Sequence, residues 1–308
     1  MIGRICPLGK GLILWYNVEK GRGEVMAKKR SKRRQKEWMA VFTLSAVLAI
    51  LLLVAFLLPD SWEDLPQATL PPETTGQTVP PTTTSPFEPN PYTASDFQYD
   101  GRYLTCLAGE SVLGIDVSAH QGVIDWQQVA DAGVSFVMIR AGYRGYEEGL
   151  LYEDRYAQEN YRGAKAGGLQ VGAYFFSQAI SVEEALEEAQ MLLDIVSGWE
   201  VDLPLVFDWE YISASARTAA VDRRTVTDCT MAFSRKIRDA GYEPMIYFNP
   251  HLEENFIHLE ELADNPFWLA LYTDWMNYPY RIRMWQYTSQ GKVPGIETAV
   301  DMNLWFPE

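Results

Sequence analysis

Two acidic residues, Asp208 and Glu210, close the apolar run Leu203-Pro204-Leu205-Val206-Phe207, which reads as a β-strand. Two positions apart on a strand, their side chains project from one face, with Cα atoms about 7 Å apart. Carboxyl groups held so close push each other's pKa apart and favour one proton shared by the pair. One then serves as an acid while the other stays an anion, the division of labour that glycosidic bond cleavage uses. Asp116 and Asp301 also stand in candidate strands, at or near their C-terminal ends. An acidic pair of this spacing is common, and carboxylates at strand ends are ordinarily solvated loop groups. The apolar run before Asp208 favours the functional alternative, because unpaired burial of charge is costly.

The elements that must position these groups alternate in type. Candidate strands are 112–117, 136–141, 170–176, 203–209, 244–249, 267–272, 282–287 and 299–304. Helical patterns fit near 125–132, 152–167, 222–240 and 251–263. A further helix opens with a capping box, Ser181 and Glu184, and carries Ala185, Leu186, Ala189, Leu192, Leu193 and Val196 at helical spacing. Near-continuous apolar strands between helices indicate an α/β fold with a parallel sheet covered on both faces. A complete eightfold barrel typically takes about 250 residues, more than this stretch offers. The later strands lie too close together to hold helices, so a TIM-like barrel lacking its last helices fits best. An open doubly wound sheet would be expected to carry a Gly-rich phosphate loop after its first strand, and none is present. In a barrel of parallel strands, the C-terminal ends gather the acidic residues at one mouth.

The rest of the chain is organised differently. Residues 38–58, from Trp38 to Leu58, carry no charge and are long enough for a single transmembrane helix. Seven basic residues between Lys28 and Lys36 precede them, so the N-terminus is expected inside and the C-terminal part outside. Phe56-Leu57-Leu58-Pro59-Asp60 offers no small-residue cleavage site, which favours an uncleaved anchor over a signal peptide. Residues 1–37 form a basic cytoplasmic segment; translation is expected to start at Met26, leaving 1–25 outside the native product. Residues 59–95, rich in Pro, Thr, Ser and Glu, read as a disordered extracellular linker. Residues 96–308 make one domain.

Of 26 basic and 41 acidic residues, eleven and three fall in 1–37 and none in 38–58, so the remainder carries a net −23. That balance argues against nucleic acid or another anionic polymer as an electrostatically captured ligand. Cys6, Cys106 and Cys229 have no metal-ligand spacing; Cys106 and Cys229 either pair outside the cell or remain buried thiols. His120, His251 and His258 form no metal pair, and no metal is expected.

A run of motifs then makes the domain recognisable. Gly114-Ile115-Asp116-Val117-Ser118, His120-Gln121-Gly122 and Ile124-Asp125-Trp126 resemble the opening of glycoside hydrolase family 25 lysozymes. Ile139-Arg140-Ala141-Gly142-Tyr143, Gly172-Ala173-Tyr174-Phe175-Phe176 and Leu205-Val206-Phe207-Asp208-Trp209-Glu210 follow in order. Ile246-Tyr247, Trp268-Leu269-Ala270-Leu271-Tyr272, Trp285-Gln286-Tyr287-Thr288 and Val300-Asp301-Met302-Asn303 complete a resemblance covering about 112–308.

The resemblance implies a (β/α)5β3 barrel and hydrolysis of the β-1,4 bond between N-acetylmuramic acid and N-acetylglucosamine in peptidoglycan. By analogy Glu210 is the general acid, Asp208 stabilises charge or orients the substrate's N-acetyl group, and Asp116 and Asp301 are supporting groups. Tyr143, Tyr174, Tyr247, Trp268, Tyr272 and Trp285 match positions lining the sugar cleft, although strand aromatics are as often core. Arg140 either pairs with an inward carboxylate or is structural. Trp209 departs from the small aliphatic usual between the two carboxylates; facing the other way, it should alter packing more than chemistry. No cofactor is expected. The expected partners are glycan strands and, through residues 38–58, the bilayer of a bacterial cytoplasmic membrane. Two rivals stand beside this expectation: a chitinase-like glycosidase, whose longer acidic motif is absent before Glu210, and a catalytically inactive wall-binding module.

Overall fold

The computed structural model of the chain describes residues 85–307. The expected basic segment, the apolar run 38–58, Cys6 and most of the linker lie outside the described residues. No helix among the described residues is long and apolar enough to cross a membrane.

Eight strands close into a barrel: β3 (Val112–Val117), β4 (Phe136–Arg144), β6 (Gln170–Ser177), β7 (Leu205–Trp209), β8 (Pro244–Phe248), β9 (Phe267–Ala270), β10 (Met284–Gly291) and β11 (Val300–Trp305). Hydrogen bonding runs around the ring in the order β3-β11-β10-β9-β8-β7-β6-β4, and β4 returns to β3. Helices follow the first five barrel strands: α1 (Trp126–Asp131), α2 (Ala157–Ala166), α3 (Val182–Val196), α4 (Arg223–Asp239) and the short α5 (Pro250–Asn255). None separates β9, β10 and β11, so the connectivity is (β/α)5β3, as the resemblance implies, and the last helices are missing, as the spacing anticipates.

The helices begin where short polar side chains cap free backbone N–H groups. Asp125, Ser181, Asp222 and Asn249 each accept from the N–H three residues on. Ser181 thus fills its expected role, while the Glu184 carboxylate accepts from the Ile180 N–H rather than from Ser181.

Strand side chains divide by alternation. Phe136, Met138, Tyr174, Val206, Met245, Tyr247, Trp268, Met284 and Trp305 fill the barrel interior. Their neighbours Val137, Ile139, Phe175, Phe207, Ile246, Leu269 and Trp285 face the helices and covering loops.

Four expectations are corrected. First, β11 is antiparallel to both neighbours, β10 and β3; residues 292–299 are too short for the crossover a parallel return needs. Asp301 therefore sits at the start of its strand, not near its C-terminal end, and the reversed direction still brings it to the mouth. Second, the helix expected from 152 begins at Ala157; Leu151–Glu153 form strand β5, which pairs antiparallel with β4. Third, the helix expected over 251–263 is broken into α5 and a 3-10 turn, Leu259–Leu262. Fourth, residues 86–92, assigned to the linker, pack on the domain. Phe87 contacts Phe267 edge-on at 5.8 Å, Asn90 donates to the carbonyls of Met276 and Tyr278, and Tyr92 packs against Phe306 with ring centres 5.0 Å apart. A hairpin of β1 (Phe97–Tyr99) and β2 (Leu104–Cys106) follows, unforeseen in the sequence because its strands are so short. Cys106 and Cys229 are both free and buried, the second of the two alternatives.

Candidate active site

The mouth at the C-terminal ends of the parallel strands opens into a cleft of about 400 Å³. It collects Asp116 from β3, Asp208 from β7, Glu210 just beyond β7, and Asp301 from β11. Asp116 and Asp301 are direct cross-strand partners, an arrangement that sets like charges opposite one another. All four predicted acidic residues are therefore brought together.

Asp116 is held by amides. Gln286 Nε2 and Asn303 Nδ2 both donate to its Oδ2, at 2.9 and 2.8 Å. Gln286 Oε1 in turn accepts from the hydroxyls of Tyr247 and Tyr272 at 3.1 and 2.9 Å, and Asn303 Oδ1 from Trp268 Nε1 at 2.8 Å. This network fixes the aromatic walls and the carboxylate as one unit. By contrast Asp208 Oδ1 is buried with no hydrogen-bond partner among the described residues. A buried acceptor left open inside a cleft is a place for a substrate donor.

Burial raises every member of the cluster. Asp116 is held well above the usual carboxylate range, first by desolvation and then by Asp301, with the Asn303 and Gln286 amides pulling the other way. Asp208 is likewise well above, by desolvation and then by Glu210 and Asp116, with Arg140 opposing. Glu210 is pushed up to about 7, by burial and then by the charge of Asp301. Asp301 itself rises to about 6, again through burial. The raised state thus extends over four groups rather than the single pair the sequence suggests, and Glu210 is tuned to hold a proton near neutral pH.

Arg140, on β4, is the nearby cation. Its guanidinium is committed to Asp154, with Nε and an Nη both near 2.8 Å from Oδ2 (2.8 and 2.7 Å). Asp154 also accepts from the N–H groups of Ala119 and Tyr156, so it ties the loop after β3 to the β5 side of the mouth. Both readings of Arg140 hold in part: its ion-pair partner is structural, and its charge still lowers Asp208.

The aromatic residues sort by strand alternation. Tyr174, Tyr247, Trp268 and Tyr272 line the cleft. Trp285 does not: with Gln286 pointing inward, its neighbour points outward, where it packs edge-on against Phe97 and donates to the Leu271 carbonyl. Tyr143 is also outside the carboxylate cleft, because a bulge in the pairing of β4 with β6 between Arg140 and Gly142 turns the strand end aside. It lines an adjoining groove instead. Gly142 is required there, since a Cβ would lie 2.8 Å from the Tyr152 carbonyl oxygen. Trp209 faces away from the cleft, donating to the Ala179 carbonyl and packing near Phe256, as its position between the acids predicts.

Gln286, Asn303 and Asp154 escaped the sequence reading as site residues. The first two are amides in otherwise apolar strands, and that mismatch was the available signal. Asp154 sat within a presumed helix and gave none. Gln178 was missed as well; its amide donates to the Glu210 carbonyl and its oxygen accepts from Thr218, fixing the backbone that carries the acid.

A barrel with interacting carboxyl groups at its mouth has the makeup of a glycoside-cleaving enzyme. The chain belongs to glycosyl hydrolases family 25, whose family model matches residues 115–296. It is 26% identical over 191 residues to the autolytic lysozyme of Clostridium acetobutylicum, covering 62% of this chain and 54% of that protein. It thus spans about half the length of that relative. Among solved structures, the bacterial lysozyme from Streptomyces coelicolor is similar with a TM-score of 0.54 and 27% identity, covering 65% of this chain and 93% of that one. The modular autolysin LytC from Streptococcus pneumoniae, in complex with a synthetic peptidoglycan ligand, has a TM-score of 0.56 and 26% identity, covering 64% and 47%.

Proposed function

We propose that this chain is a muramidase, hydrolysing the β-1,4 bond between N-acetylmuramic acid and N-acetylglucosamine in bacterial peptidoglycan. The observation that carries the proposal is Glu210, raised to about 7 at the mouth of a cleft, beside an Asp208 oxygen with no partner. Membership of family 25 and similarity to lysozymes and an autolysin support it.

In this mechanism protonated Glu210 gives its proton to the glycosidic oxygen as the bond to the anomeric carbon breaks. Asp208 Oδ1 accepts a hydrogen bond from the N–H of the substrate's N-acetyl group and so turns the acetyl oxygen towards that carbon, where it forms the new bond. Glu210, now an anion, then takes a proton from the water that opens the resulting ring, restoring the starting state. Asp301 keeps Glu210 protonated by its like charge, and Asp116, clamped by Gln286 and Asn303, holds the floor of the cleft. No step calls on a metal or an organic cofactor.

The test is to incubate the protein with purified peptidoglycan and with chitin. New reducing muramic acid ends from peptidoglycan, abolished by Glu210→Gln, are the expected result. Preferential cleavage of chitin would mark a chitinase-like enzyme, and binding without cleavage a wall-binding module.

The location belongs to the same proposal. The uncharged run 38–58 behind a basic segment supports a single-pass anchor in a bacterial cytoplasmic membrane, with the catalytic domain outside on a Pro/Thr-rich tether. Protease added to intact protoplasts should then remove the domain and leave the first residues protected; protection of the domain would reverse the orientation.

A further inference from the structure

The groove that receives Tyr143 adjoins the catalytic cleft and shares His120, Arg140 and Phe176 with it. Its volume is about 550 Å³, and its far wall is the β4–β5 hairpin with Tyr146, Glu153 and Arg155, faced by Ile212 from the segment after β7. Three features set it apart from ordinary surface. Tyr146 and Ile212 are large apolar side chains left 49% and 41% exposed. Tyr143 is held upright between Tyr152, stacked at 5.2 Å, and the Arg140 guanidinium, 5.1 Å from its ring centre. Finally, the two charged residues on the rim, Glu153 and Arg155, are both exposed, and among the described residues neither makes an ion pair or a side-chain hydrogen bond. Arg155 only lies over the ring of its neighbour Tyr156, at 5.3 Å.

An open cation, an open anion and apolar faces between them match a short peptide that carries a carboxylate, a free amine and small apolar side chains. A peptide substituent on the muramic acid of a glycan strand has that chemistry, and continuity with the cleft places such a substituent within reach when the strand is bound. We propose that this groove is a stem-peptide subsite, in which Arg155 pairs with a peptide carboxylate, Glu153 with the amine of a diamino residue, and Tyr143, Tyr146 and Ile212 pack on the small side chains. The inference rests on the muramidase reading of the adjoining cleft. It also fits a domain whose overall charge is strongly negative: long-range attraction for an acidic peptide is absent, so recognition must come from a local, paired arrangement.

The experiment compares soluble glycan strands bearing intact stem peptides with the same strands stripped of peptide by an amidase, both cleaved by the full chain. For Arg155→Glu, KM on peptide-bearing strands should rise about tenfold relative to its change on stripped strands, the scale of one charge-assisted contact turned repulsive. Arg155→Lys should restore most of that ratio, and Glu153→Lys should shift it in the same direction as Arg155→Glu. Because the ratio is taken on one preparation, partial misfolding lowers both rates and leaves it alone. Equal changes on the two substrates, or no change on either, would overturn the subsite. If the unsubstituted protein cleaved neither strand, the muramidase reading itself would fall, and the subsite with it.

Discussion

The molecule holds two clusters of acidic side chains, each built around buried carboxyl groups (Glu188 in one, Asp116 and Asp208 in the other), and treats them in opposite ways. On α3, Glu184, Glu187 and Glu188 meet two arginines: Arg144 reaches Glu188 at 2.7 Å and Glu187 at 3.0 Å, and Arg217 reaches Glu184 at 2.6 Å. Arg144 also donates to the carbonyls of Gly149 and Glu184, so each of its guanidinium nitrogens is engaged. At the barrel mouth, Asp116, Asp208, Glu210 and Asp301 have no such partners among the described residues, because Arg140, the cation beside them, is bound to Asp154. A raised pKa does not distinguish the clusters, since burial lifts both Glu188 and Glu210 to about 7. Access and pairing do. Glu188 is sealed and ion-paired, whereas Glu210 faces an open cleft, makes no ion pair among the described residues and feels the like charge of Asp301. One cluster fastens a helix to the barrel; the other is left able to exchange protons with a ligand.

Substitutions should divide along that line. The largest effect is expected for Glu210→Gln, which removes the proton donor and should lower kcat on peptidoglycan about 10²- to 10⁴-fold, read from reducing ends released. Asp208→Asn should lower kcat by roughly 10²-fold with a smaller change in KM, since it weakens an interaction made as charge develops. Arg144→Met belongs to the other cluster. It strands buried Glu188 and should reduce unfolding free energy by about 3–5 kcal/mol in denaturant titrations, while the folded fraction keeps its turnover. A kcat loss in Arg144→Met beyond its unfolded fraction would blur the distinction between the clusters.

A smaller effect separates function from stability within the mouth itself. Glu210 has its folded value raised to about 7 from an ordinary 4.5, so the folded state keeps a proton that the unfolded chain releases. Its contribution to stability is therefore full below about 4.5 and is lost as pH rises through 7. Glu210→Gln should relieve that penalty, stabilising the protein on the order of 1–3 kcal/mol at pH 8 and hardly at all at pH 4. Thermal melts at the two pH values check it; equal melting shifts at both would mean that Glu210 is not held in a raised state.

Much of this is legible in the sequence. Apolar runs of strand length and closely spaced later strands lead to a barrel without its last helices, and one capping side chain, Ser181, marks the start of α3. The four acids were legible because each interrupts an apolar run, a local signal. What stayed hidden depends on direction and register. Asp301 was placed at the wrong end of its strand because pairing direction follows from loop length around the closed ring, not from the strand's own residues. Trp285 and Tyr143 were matched to the cleft by resemblance, but alternation beside Gln286 turns the first outward and a bulge at Gly142 turns the second aside. Residues 86–92 read as linker because of their Pro-rich composition; Phe87, Asn90 and Tyr92 anchor them individually.

The central claim is that Glu210 is the group that gives up the catalytic proton. The pH dependence of kcat/KM on soluble peptidoglycan strands tests it most directly, measured for the protein and for Glu210→Gln. Activity should fall on the alkaline side with an apparent pKa near 7, and the residual activity of Glu210→Gln should lack this limb. An alkaline limb that persists unshifted in Glu210→Gln would assign the proton to another residue and contradict the account.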